Sequence, residues 1–359
     1  MSEQSIYRAS TTAPVNIAVI NYTPPEDTLI LNGKSQDLTT PRSTACLRSL
    51  RTLRSKLEHA DTSLPKLSTY PLRLASVNNF PTAAGLASSA AGFAALVRAV
   101  ADLYELPQSP TELSLIARQG SGSACRSLLG GYVAWDMGTK TDGSDSCARE
   151  VAPKNHWPEM RAFILVASAA QKDVSSTAGM QETVKTSSLF RARVEEVPKR
   201  MVKTEKAIRE RDFETFAKIT MRESNSFHAT CLDTDPPIQY MNDVSAAAIK
   251  AVRLINQQAG SDKTVAAYTF DAGPNCVVYY LVENWGILSE KLAPALADKE
   301  GWPVKAGASH NGGGFGADYE HIENTLKRGV SRVIATSVGD GPISVQDHLI
   351  DEHGNSMNS

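Results

Sequence analysis

Pro81-Thr-Ala-Ala-Gly85-Leu-Ala-Ser88-Ser89-Ala-Ala91 runs from a turn-forming proline through a glycine into a pair of serines. Gly85 permits a backbone turn that other residues resist. The small side chains around it, Ala87 among them, let the loop approach a bulky anion closely. Ser88 and Ser89 fall where an amphipathic helix begins. Phe93, Leu96, Val97, Val100 and Leu103 recur at three- and four-residue spacing, while Arg98, Asp102 and Glu105 lie off that stripe. The pattern predicts a helix from Ser88 to Leu106, ended by Pro107. Free N–H groups and the positive dipole end of such a helix favour phosphate. Serine hydroxyls there can bond phosphate oxygens or the shell of a magnesium ion. The same residues also suit a small-residue helix start packed tightly against a sheet, and the pattern by itself leaves both readings open.

Working outward, Leu72–Val77 reads as the strand leading into this loop. Pro14–Asn21 is a further strand. Thr28–Leu31 is a short one running into Asn32-Gly33, a hairpin-turn dipeptide. Pro41–His59 is a helix with Cys46, Leu47, Leu50 and Leu53 on one stripe. Downstream, a helix precedes Gly120, Ser121–Leu129 can form one more, and Tyr132–Trp135 is a strand. Thr139–Ser146 is polar and reads as a loop. Arg161–Ser168 is a strand, followed by helices over Ser176–Lys185, Phe190–Arg209, Asp212–Ser226 and Val244–Gln258. Thr264–Phe270 and Cys276–Val282 are strands. A helix over Trp285–Lys299 and a strand over Arg332–Val338 complete the reading. Helices mixed with strands, without regular βα alternation, predict an α+β fold. The domain boundary is expected near Ala152–Glu159, dividing the chain into residues 1–158 and 159–359.

The composition narrows the function classes. Of 359 residues, 37 are Lys or Arg and 39 are Asp or Glu, giving a net charge of −2. That balance argues against nucleic-acid binding and against electrostatic membrane binding. No run reaches 18 apolar residues, so no membrane-spanning helix is expected. The N-terminus lacks a basic start and an apolar stretch, so a secretory signal is not expected and a cytoplasmic location is. The five scattered cysteines form no CxxC pair and read as reduced thiols.

Two more clusters could carry chemistry. Gly120-Ser-Gly-Ser123-Ala-Cys-Arg126 places two hydroxyls near a guanidinium, which can clamp a carboxylate or phosphate with two parallel hydrogen bonds. A Ser-capped helix with an exposed arginine explains it equally well. Tyr268-Thr-Phe-Asp271-Ala-Gly-Pro-Asn275 projects a carboxylate from the end of a strand, as suits a base or an orienting group. An Asx turn is the structural alternative. Other motifs fail. Gly33-Lys34-Ser35 lacks the upstream glycine of a Walker A loop. Gly312–Gly316 lacks GxGxxG spacing and reads as a turn. His348 and His353 are five apart, so one helical face would not present both, and a tail is expected there instead of a metal site.

Taken together, these segments resemble one family. The phosphate loop is similar to that of GHMP kinases. The longer string Asn78–Leu96 resembles the diphosphomevalonate decarboxylases, most closely the fungal branch. So do Gly120–Gly131, Asp173–Met180, Ser226–Asp233 and Tyr268–Asn275. The resemblance implies a GHMP kinase fold: two α+β lobes with a central cleft, the first resembling ribosomal protein S5 domain 2 in shortened form. It implies ATP-dependent decarboxylation of mevalonate 5-diphosphate to isopentenyl diphosphate, with ATP and Mg2+ as cofactors and a homodimer as the assembly. By matching position, Asp271 is implied as the aspartate acting on the hydroxyl, Arg126 as the carboxylate-binding arginine and Ser176 as a serine near the reacting phosphate. Tyr22, Arg42, Ser121 and Ser123 are implied at the substrate. Asn78, Gly85, Ala87, Ser88 and Ser89 are implied at the nucleotide, with Ser89 also at Mg2+.

The chain departs from the family most at one place, with smaller departures at Asp235, Gln239 and Ala308–Tyr319. After Ala13–Ile20 the family continues with Lys-Tyr-Trp-Gly-Lys-Arg-Asp, a serine-rich loop and two strands. Here Asn21 replaces the first lysine, Tyr22 is retained, and the chain passes directly to Thr23–Gly33. The expected losses are a lysine pair facing substrate phosphates and some strand pairing, which would leave sheet edges exposed. Two alternatives therefore accompany decarboxylation: a divergent relative acting on another phosphorylated or hydroxy-acid substrate, and a non-catalytic relative.

Overall fold

The structure, a computed structural model, describes residues 7–12, 15–20, 26–78, 88–167, 174, 176–260, 263–303 and 314–351. It divides into two compact units. The first takes the described residues up to Pro153 and those from Gly339 onward; the second takes Lys154–Val338. The junction after Pro153 lies close to the expected boundary at 158, and the C-terminal stretch returns to the first unit.

In the first unit the strands are β1 (Arg8–Thr12), β2 (Val15–Ile20), β3 (Thr28–Leu31), β4 (Lys34–Gln36) and β5 (Arg73–Asn78), and the helix α1 (Pro41–Ala60) precedes β5. Helices α2 (Ser88–Leu103) and α3 (Pro110–Gly120) follow, then the strand pair β6 (Tyr132–Trp135) and β7 (Ala148–Ala152). The second unit contains β8 (Met160–Val166), α4 (Ser176–Thr186), α5 (Ser188–Glu210), α6 (Phe213–Leu232), α7 (Asp243–Gln258), β9 (Ala266–Phe270), β10 (Cys276–Leu281), α8 (Trp285–Leu296), α9 (Glu320–Gly329) and β11 (Arg332–Ser337). The last strand, β12 (Ile343–Ser344), belongs to the first unit.

The first unit's main sheet has the order β12-β1-β2-β5-β3-β4. β2 runs antiparallel to β5, and β3 runs parallel to it on the other side. Ile20 and Thr28 are both in register with Arg73. The shortened link, residues 21–27, therefore joins two strands that are antiparallel to each other and two strand spacings apart, roughly 10 Å. Seven residues reach well beyond that distance. The exposed edge expected from the missing segment is occupied by β4. Its three residues, Lys34-Ser35-Gln36, are all exposed and polar, and a short charged strand discourages edge-to-edge pairing. The predicted Asn32-Gly33 turn joins β3 to β4, with φ of 49° and 75°.

The apolar stripes of α1, α2 and α3 form the first core, with Leu47, Leu50, Val97, Val100, Tyr104 and Leu113 buried together. Thr40 and Ser109 cap α1 and α3; Ser109 forms a full capping box with Glu112. The second unit's sheet has the order β11-β8-β10-β9 and packs Phe163, Leu165, Tyr268 and Val278 with Ile255 and Leu292 from the helices and Trp302 from the loop after α8.

The sequence reading contains no element over β7, α9 or β12, and three further elements differ from it. Gly122–Leu128 is a 3-10 segment, not an α-helix: its glycine and serines do not sustain the longer-range ladder. α6 continues past Ser226 to Leu232, because His228, Thr230 and Cys231 are buried on it and no breaker intervenes before Pro236. β1 lies over a stretch, Arg-Ala-Ser-Thr-Thr, with no apolar alternation. The C-terminal segment is tied down as well: His348 Nδ1 lies 2.6 Å from Ser10 Oγ on β1. Among the described residues no helix is long and apolar enough to cross a membrane.

Candidate active site

In the first unit, β5 ends at Asn78 and α2 begins at Ser88, on either side of the segment read as a phosphate loop. Gly85, Ala87 and Tyr22 lie outside the described residues, as do the side chains of Asn78 and Ser88. Ser89 is exposed in the first turn of α2, which carries no acidic residue. Its Oγ lies 3.4 Å from Ser121 Oγ, at the residue that caps the end of α3. Two sequence clusters 32 residues apart thus meet at one helix start. Ser123 and Arg126 follow on the 3-10 segment. Arg126 is exposed, and its guanidinium carbon lies 5.6 Å from the centre of the Trp135 ring. Arg42 is exposed in the first turn of α1, and no described contact brings it to the serine pair.

In the second unit, β9 delivers Asp271 to its end, exposed to solvent. Among the described residues no hydrogen bond involves its carboxylate, so the Asx turn is not what forms. The loop is instead tied by backbone and by neighbours: Gly273 N–H donates to the Asp271 carbonyl at 2.7 Å, and Ser245 Oγ donates to the Pro274 carbonyl at 2.8 Å. Asn275 Oδ1 accepts from Ala167 N–H at 2.8 Å.

α6 holds the strand that carries it. Phe270 N–H donates to Ser224 Oγ at 3.2 Å, and Tyr268 donates its hydroxyl to Asn225 at 3.0 Å. His228, one turn on, is 3% exposed and stands edge-on to Phe270. Burial pushes its imidazole down to about 4, against opposing pulls from the Phe270 backbone and the Asp271 charge. His228 falls within a family-like string but carries no distinct sequence signal; its proximity to Asp271 comes from the packing of α6 on β9.

Ser176, half-buried, is the first residue of α4. Further along that helix, a Cβ on Gly179 would lie 2.5 Å from the Tyr240 hydroxyl, so only glycine admits this approach. Burial, then the nearby Cys231 and Asp271, raise the Tyr240 phenol pKa. Tyr240 is the second residue near Asp271 that the sequence did not single out.

The described residues contain no cluster of three or more His, Cys, Asp or Glu able to hold a metal. Among the described residues, Ser89 and Ser121 offer hydroxyl oxygens at the α2 start. That set fits Mg2+, which keeps several waters and takes its remaining ligands from phosphate and one or two protein oxygens.

Two family patterns match the chain. The diphosphomevalonate decarboxylase-like N-terminal domain matches residues 9–148, and the mevalonate 5-diphosphate decarboxylase C-terminal domain matches residues 162–345. The diphosphomevalonate decarboxylase of Aspergillus fumigatus is 55% identical, covering 100% of this chain and 99% of that protein. The Saccharomyces cerevisiae enzyme is 49% identical, covering 97% and 98%. An X-ray structure of mevalonate 5-diphosphate decarboxylase superposes with a TM-score of 0.83 at 49% identity, covering 97% of this chain and 91% of that one. A structure of MDDEF in complex with MVAPP, AMPPCP and magnesium matches with a TM-score of 0.68 at 25% identity, covering 96% and 100%. The α+β units, with a serine pair at a helix start, are those of the GHMP kinase fold. Within that fold, the chain belongs to the diphosphomevalonate decarboxylase family. The match to the Aspergillus protein runs over 414 residues, more than the 359 here, so that relative carries positions with no counterpart in this chain.

Proposed function

We propose that this chain converts mevalonate 5-diphosphate and ATP into isopentenyl diphosphate, ADP, phosphate and CO2. Full-length kinship with curated decarboxylases, with Asp271 and Arg126 both in place, carries this reading. The tertiary 3-hydroxyl is a poor leaving group, and phosphorylation makes it a good one. Loss of phosphate leaves an electron-poor carbon, and the neighbouring carboxylate gives up its C–C electron pair to form the alkene and CO2.

Asp271 orients or deprotonates the 3-hydroxyl, a role suited to an exposed carboxylate without competing hydrogen bonds. Arg126 receives the substrate carboxylate with its N–H edges. Ser121 and Ser123 contact substrate, and Arg42 and Tyr22 help hold its diphosphate. Ser176, at the start of α4, lies near the reacting phosphate. Asn78 and the loop of Gly85 and Ala87 hold the nucleotide, with Ser88 and Ser89 at its phosphates and Ser89 at Mg2+. Mg2+, when bound with ATP, neutralises phosphate charge. Five free cysteines, four of them buried, support a reducing, cytoplasmic setting, and the family reading carries a homodimer with it.

The test is an ATP-dependent assay of the purified chain with mevalonate 5-diphosphate, reading CO2 and phosphate together. Equal release of both is expected. Phosphate without CO2 would mark a kinase-like relative, and neither product a binding protein.

A further inference from the structure

Arg126 is exposed, and among the described residues no acid pairs with it. An arginine left in that state samples many rotamers, and ordering it on binding costs affinity. Here its guanidinium lies over the Trp135 ring, 5.6 Å from the ring centre. The negative face of an indole attracts the cation. A charge–ring contact does not call on all five N–H donors of the guanidinium. The N–H groups around its edge stay available for a carboxylate.

The indole is itself held from several directions. Trp135 closes β6, in register with Ala148 of β7. Its Nε1–H donates to Ser146 Oγ at 2.9 Å, and that hydroxyl donates to the Asp136 carbonyl at 3.0 Å. Beyond the ring's far edge sits Gly122, between Ser121 and Ser123. A Cβ there would lie 3.0 Å from Trp135 Cη2, so a larger residue would crowd the ring. Ser146 thus holds Trp135 by its indole N–H, and the ring so held meets Arg126.

We propose that Trp135 is a positioning residue that holds the Arg126 guanidinium ready for the substrate carboxylate. The inference rests on the reading of Arg126 as the carboxylate-binding arginine. It assigns a role to a tryptophan that touches no reacting atom.

The experiment is calorimetric binding to the full chain of mevalonate 5-diphosphate, of isopentenyl diphosphate and of ATP. Isopentenyl diphosphate lacks the carboxylate and serves as control. W135L is expected to weaken mevalonate 5-diphosphate about 5-fold. Isopentenyl diphosphate and ATP should bind unchanged. W135F, which keeps an aromatic face, should recover most of the loss, and S146A should show a smaller loss of the same kind. In the R126A background, W135L should add nothing. Equal weakening of all three ligands, or an undiminished W135L effect in the R126A background, overturns the inference alone. R126A with unchanged affinity for mevalonate 5-diphosphate overturns the carboxylate role of Arg126 itself. Should W135L fail to fold, W135F and S146A carry the same comparison.

Discussion

Arg51 on α1 grips Asp27 with two hydrogen bonds, at 2.8 and 2.6 Å, at the point where the shortened link enters β3. The same Asp27 carboxylate accepts the Leu72 backbone N–H at 2.8 Å, at the mouth of β5. One acid thus pins the link both to the helix layer and to the strand it crosses. The ion pair is largely shielded, with side chains 27% and 21% exposed. Asp27→Asn should lower unfolding stability by about 1.5–3 kcal/mol, measured by urea denaturation, because Arg51 loses its charged partner. An unchanged midpoint would show that the link is held by other means.

Asp271→Asn should leave ATP binding intact and lower turnover by about 100- to 10,000-fold, the usual span for removing a positioned acid–base group. Among the described residues its carboxylate makes no hydrogen bond, so the fold should be undisturbed. Retained turnover would move the catalytic role elsewhere.

Mevalonate 5-diphosphate should bind more weakly to this chain than to the Saccharomyces relative. Each phosphate-facing cation that the family resemblance places in the missing segment would supply a charge-assisted hydrogen bond worth ~1.5–3 kcal/mol, or roughly 10- to 150-fold in affinity. Side-by-side calorimetry decides it. Matching affinities would make the segment dispensable for binding.

His228 should make the second unit acid-sensitive. Its imidazole titrates at about 4 when folded, below its ordinary 6.5, so the unfolded chain binds the extra proton between those values. Stability from this residue is full above pH 6.5 and falls as the pH drops toward 4. The span corresponds to about 3 kcal/mol. His228→Phe should flatten that part of the stability–pH curve, read by thermal unfolding at stepped pH. A wild-type curve that is already flat from pH 6.5 to 4 would rule the effect out.

Much of this molecule was readable from the residues in order. The periodicity from Phe93 to Leu103 and the Asn32-Gly33 turn each act over a few neighbouring residues, and both appear as expected. Family membership was equally local, since it rests on strings such as Asn78–Leu96. What the sequence could not order were contacts made at long range. β1 has no apolar alternation, yet it is buried because Ser10 and Thr11 find partners in His348 and Asp102 far along the chain. The Ser89–Ser121 meeting, the contact of Arg126 with Trp135 and the place of His228 near Asp271 likewise depend on which faces pack together. Sequence determined the elements and the chemistry they carry, because propensity and motif are short-range. Only the tertiary structure decided the sheet order around the shortened link and the neighbours of each functional side chain. Burial and hydrogen-bond satisfaction are settled across the whole fold.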